Sequence, residues 1–247
     1  MATQMANPLE QFTVQPVFAL PKLMGYDVGL TNSSLGMLIA VVLAVLFYAV
    51  ALRKKSMVPG RLQSLGEMTY EFVHGFFREN AGGHAEHYFP FIFTLFLFIL
   101  FMNLVGMVPF SFTPTSHIII TFGMAIVVFL GVTLIGIAKK GPIGFLKHFI
   151  PPGVPLWMAP LLLVIEFISY CVRPFSLSIR LAANMFAGHT LMAVIAGFIV
   201  PLGIFGLLPG AFLVGFTAVE IFVAILQAYV FALLSSIYLG EALSDHH

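Results

Sequence analysis

Five stretches of this chain are each apolar for long enough to cross a bilayer: residues 35–52, 88–108, 118–138, 154–200 and 207–243. A hydrocarbon core of about 30 Å takes about 20 helical residues, and inside it each backbone N–H and C=O must find its partner within the segment. Only 9% of the residues are charged, against about 25% in soluble domains. The expectation is an all-α polytopic membrane protein with five membrane-crossing helices.

Between the first two stretches, Leu62, Leu65, Met68, Phe72 and Phe76 recur at helical spacing, with Glu67, Glu71, Arg78 and Glu79 off that row. Residues 61–83 therefore read as one amphipathic helix, lying on the membrane surface or docked on a partner. The Phe-rich run 89–101 reads as lipid-facing bulk. Orientation follows from basic residues in short loops. Arg53, Lys54, Lys55, Arg61, Arg78, Lys139, Lys140 and Lys147 are 8 of the 11 Lys and Arg residues and fall on one side. That side is expected to be cytoplasmic, with the N-terminus outside and the C-terminus inside. Three regions result: an extracytoplasmic segment 1–34, peripheral transmembrane helices 35–140 with the surface helix 61–83, and a hairpin 154–244.

The N-terminal residues lack the basic region and short apolar core of a signal peptide. The single cysteine, Cys171, excludes a disulfide framework and a cysteine metal site within the chain. A net charge of +1 gives no footprint for nucleic acid. His84, Glu86 and His87 read as a polar loop, not a metal site, and neither a metal nor a cofactor is expected.

The last two apolar stretches are too long for an upright crossing. Forty-seven residues, 154–200, would run about 70 Å as a helix. Two long, strongly tilted helices folded around 201–206 account for the excess, with Pro174 expected to kink the first near Tyr170. Within it, Glu166, Tyr170, Arg173, Leu177, Arg180 and Asn184 recur every three or four residues and so share one face. Thr217, Glu220 and Gln227 share a face of its partner. Folding the hairpin at its turn sets Arg180 level with Gln227, and His189 level with Glu220. An arginine at membrane depth keeps its charge and marks a functional site. Here it separates two groups able to carry protons, Glu166 on one side and His189 with Glu220 on the other.

The segment Leu177-Ser178-Ile179-Arg180-Leu181-Ala182-Ala183-Asn184-Met185-Phe186-Ala187-Gly188-His189 resembles the core of subunit a of F-type ATP synthases. So do Leu226-Gln227-Ala228-Tyr229-Val230-Phe231, Asn103-Leu104-Val105-Gly106-Met107-Val108-Pro109 and Asn7-Pro8-Leu9-Glu10-Gln11-Phe12. The resemblance covers residues 7–243. It implies a non-catalytic proton-channel subunit of the membrane sector, facing a ring of c subunits and held by b-type peripheral stalk subunits. It implies that Arg180 is the family's essential fixed cation, and that Glu166, Asn184, His189, Glu220 and Gln227 line the proton paths. Arg173 and Thr217 stand as secondary candidates, and His117, where many relatives have Asp, as the outer channel mouth. His189 and Glu220 are exchanged relative to many bacterial members, as in alphaproteobacterial and mitochondrial ones. A bacterial inner membrane is the expected location, with the mitochondrial inner membrane as the alternative. The competing expectation is a stand-alone ion-coupled transporter. Such folds are commonly built from inverted repeats, and no repeat is found in this sequence.

Overall fold

The first crossing helix starts where a cap is available. In the computed structural model, which describes residues 13–14, 16–18, 29–53, 59–108, 112–149 and 157–244, Thr31 and Ser34 form a reciprocal capping box and α1 runs Asn32–Ala51. The capping hydroxyls satisfy the open N–H groups of the first turn, so the helix begins three residues earlier than hydropathy alone places it. Before it, β1 (Pro16–Phe18) and β2 (Leu30–Thr31) pair as a small antiparallel ribbon. Several residues used above lie outside the described set: Asn7–Phe12, Lys54, Lys55, Pro109 and Val154.

Helix α2 (Arg61–Ala81) ends at Gly82, whose φ of 77° favours glycine. A 3₁₀ turn then leads into α3 (Phe89–Gly106). Helix α4 (Ile118–His148) contains a break at Gly141, with φ 71° and ψ 164°, immediately before Pro142. Helices α5 (Ala159–Ile199) and α6 (Leu207–Leu243) are 41 and 37 residues long. Both lengths exceed the about 20 residues of an upright crossing. They join through the 3₁₀ turn Gly203–Gly206. The helix α5 continues through Pro174, which is buried. Among the described residues five helices are long and apolar enough to span a membrane, so the chain is an all-helical polytopic membrane protein apart from the ribbon.

The core corrects one expectation. The Phe-rich run faces lipid only in part: Phe89, Ile92, Phe96, Leu97 and Ile99 are buried, whereas Phe91 is exposed. The cause is the placement of α3, which lies against α1, α2 and α6 at once. Apolar composition cannot distinguish a lipid-facing helix from one enclosed by other helices, because lipid tails are as apolar as leucine. Helix α2 carries two apolar rows. Val73, Phe76, Phe77 and Ala81 pack inward, while Leu62, Leu65, Met68 and Phe72 stay exposed, as a surface helix facing lipid would leave them.

In α6 the buried residues include Ala224, Ala228, Ala232, Ser235 and Ser236, small enough for close helix approach. At Gly240 a side chain would meet backbone atoms of Asn80 and Ala81, so α6 touches the end of α2 backbone to backbone. Packing is uneven along the hairpin. The last buried residue of α5 is His189, and the first in α6 is Glu220.

Candidate functional site

His189 and Glu220 are both buried, and His189 Nε2 lies 3.8 Å from Glu220 Oε1. The helix positions explain the approach. Gly188 leaves a notch that the Glu220 carboxylate enters, and the antiparallel hairpin brings the two positions level. Neither Glu220 oxygen has a hydrogen-bond partner among the described residues. A buried carboxylate without partners is costly, so this position calls for a proton, water or a cation. Thr113, in the connection between α3 and α4, places its hydroxyl 3.2 Å from His189 Nε2. His117 follows in the same connection and stacks on Phe112, with ring centroids 4.9 Å apart.

About 24 Å along the axis of α5, a second polar cluster surrounds Arg173. Its guanidinium pairs with Glu241 of α6 and lies 3.9 Å from Glu166. The rings of Tyr238 and Tyr170 hold it at 4.7 and 5.5 Å, a cation–π arrangement. Tyr170 in turn shares a 2.5 Å hydrogen bond with Thr133 of α4. Lys140 Nζ donates to the Ser244 carbonyl at 2.6 Å. Arg173 therefore pairs with carboxylates on both helices of the hairpin.

Arg180 lies between the two clusters and differs from Arg173 in surroundings. It is exposed on the surface of α5, and no carboxylate among the described residues comes within ion-pair distance. The polar face read from sequence turns outward here: Leu177 is buried, Asn184 is half-buried and Arg180 sits at its rim. Gln227 is buried, and its Nε2 has no hydrogen-bond partner among the described residues. No hydrogen bond joins Arg180 to Gln227 among the described residues. Thr217 donates to the Leu213 carbonyl at 2.8 Å and lies 3.7 Å from Met192 Sδ, with no hydrogen bond to the Glu220 carboxylate.

Two residues of these clusters escaped the sequence reading. Glu241 lies 14 positions beyond Gln227, which returns close to the same helix face. That signal was available, but the polar face was followed only as far as Gln227. Thr113 lies in a connection with no periodicity to reveal it.

The arrangement offers two separated sets of groups able to hold and pass protons, with a permanent cation between them. Comparison with known proteins identifies the family. The family described as "ATP synthase A chain" matches residues 34–240. A protein named "ATP synthase subunit a" from Paramagnetospirillum magneticum is 50% identical, over 98% of this chain and 100% of its own length. One of the same name from a Wolbachia of Drosophila simulans is 49% identical, over 96% and 98%. A third, from Pelagibacter ubique, is 50% identical, over 98% and 99%.

Proposed function

Since this chain belongs to the ATP synthase A chain family, and so to the membrane sector of a proton-transporting ATP synthase, we propose that it is the non-catalytic stator subunit that gives protons two offset half-channels. One passes His189 and Glu220, with His117 near its mouth. The other passes Glu166. Arg180 separates them and faces a ring of c subunits, with Asn184 and Gln227 beside the crossing point. The observation that carries this reading is the contrast between the two arginines. Arg173 is neutralised within the chain, whereas Arg180 is presented outward without an acidic partner among the described residues.

A carboxylate carried by the rotor is costly to ionise against lipid. Beside Arg180, at about 4 Å and an effective dielectric near 20, the attraction is about 4 kcal/mol. The ionised form is favoured there and the proton leaves past Glu166. A new proton arriving past Glu220 and His189 neutralises the carboxylate and lets it move on into lipid. Arg180 also repels protons that would cross directly, which ties flow to rotation. A proton falling through 100 mV yields about 2.3 kcal/mol, so several serve each ATP. The subunit lies in a bacterial inner membrane, with the basic loops and the C-terminus cytoplasmic and the N-terminus outside. Helices α5 and α6 tilt along the ring, and b-type stalk subunits hold the chain against it.

The test is Arg180→Ala in the whole complex. The chain is expected to insert and to copurify with the ring, while ATP-driven acidification of inverted vesicles disappears. Acidification at the native rate would refute the proposal. A chain that transports a solute when purified alone would instead support a stand-alone transporter.

A further inference from the structure

Resting on that reading, we propose that Thr113 is a positioning residue for the His189–Glu220 pair, holding His189 as the tautomer whose proton sits on Nε2. The argument begins at the end of α3. The last carbonyls of a helix have no intrahelical partner, and Gly106 is buried. Its carbonyl receives the Thr113 hydroxyl at 3.2 Å. A carbonyl only accepts, and a hydroxyl has one proton to give. With that proton committed to Gly106, the Thr113 oxygen faces His189 as an acceptor, and Nε2, also at 3.2 Å, is the donor. Glu220 Oε1 lies 3.8 Å from the same nitrogen, beyond hydrogen-bond distance.

The site is shaped for this contact. A Cβ at position 106 would fall 2.5 Å from the Thr113 methyl and 2.8 Å from its oxygen. Only glycine lets Thr113 approach. The backbone of Thr113 is fixed as well, since its carbonyl accepts from Ser116 N at 3.2 Å and from Ser116 Oγ at 2.7 Å. Thr113 itself is 4% exposed, so water does not compete for its hydroxyl. The hairpin thus supplies His189 and Glu220, while a connection outside the hairpin sets the direction of the histidine proton.

The test uses the assembled complex in proteoliposomes, with ¹⁵N-labelled histidine and His189→Gln to assign the signal. Solid-state ¹⁵N spectra of the native complex are expected to show neutral His189 protonated on Nε2. Thr113→Val should remove that preference and slow ATP-driven pumping about tenfold, whereas Thr113→Ser, which keeps the hydroxyl, should stay within about twofold of native. Three results would each overturn the proposal: a native His189 protonated on Nδ1, a Val variant pumping at the native rate, or a Ser variant as slow as Val. Should the Val complex fail to assemble, the native spectrum and the Ser variant still decide. An Arg180→Ala complex run in parallel separates the two ideas, because pumping there would undo the half-channel reading while leaving the tautomer result standing.

Discussion

Glu220 reaches across the hairpin into the space left empty at Gly188. The contact makes Gly188→Ala a sharp probe. Alanine favours a helix over glycine by about 1 kcal/mol, so α5 itself should gain. The added methyl nevertheless occupies the carboxylate's place. We expect a complex that assembles with native yield and pumps roughly tenfold more slowly, the size of effect that about 1.4 kcal/mol of displacement produces. Native pumping by this variant would show that the carboxylate's position is immaterial.

Gly240 predicts a different kind of failure. A methyl there meets the Asn80 carbonyl and the Ala81 Cα, backbone atoms that have no rotamer to change. Gly240→Ala should loosen α2 from α6 and cost about 1–3 kcal/mol. Thermal unfolding in detergent should reveal it as a lowered midpoint, and an unchanged midpoint would contradict the backbone contact described above.

Glu241→Gln removes the charge that holds Arg173 but keeps a side chain of the same shape. Both partners are partly exposed, 21% and 44% by side chain, so the loss in stability should stay below about 1 kcal/mol. The local effect is more telling. Amide exchange over residues 238–244 should quicken, since this end would lose one tie and keep the Lys140 contacts to the Ser244 and Glu241 carbonyls and the packing of Gly240 on α2. Exchange as slow as native would mean that the ion pair does not hold the end of α6.

Asn103 donates its side-chain amide to the Ala224 carbonyl at 3.1 Å, linking α3 to α6 in a fully buried position. Asn103→Ala leaves a hole and an unpaired group and should cost about 2–4 kcal/mol. Asn103→Leu fills the hole with a side chain of similar size and should recover at least half of that loss. Equal destabilisation by both substitutions would place the cost in the hydrogen bond and not in the packing.

The sequence carried the crossing helices because each is a continuous apolar run, and the hairpin register because helix rise is constant. Counting residues set His189 level with Glu220, and in the structure their side chains lie 3.8 Å apart. What it concealed was lateral placement. The aromatic run of α3 is equally apolar facing lipid or other helices, so its burial depends on neighbours distant in sequence. Thr113 was hidden for a related reason: it acts on a residue 76 positions away, from a connection without periodic signal.

The uneven burial of the hairpin has a mechanical meaning. Its buried residues run from Pro174 to His189 on one arm and from Glu220 to Ala242 on the other, as in a cantilever gripped at one end. The acid–imidazole pair sits where that grip stops. Its carboxyl and imidazole are thus the outermost groups of the two hairpin helices that the fold encloses.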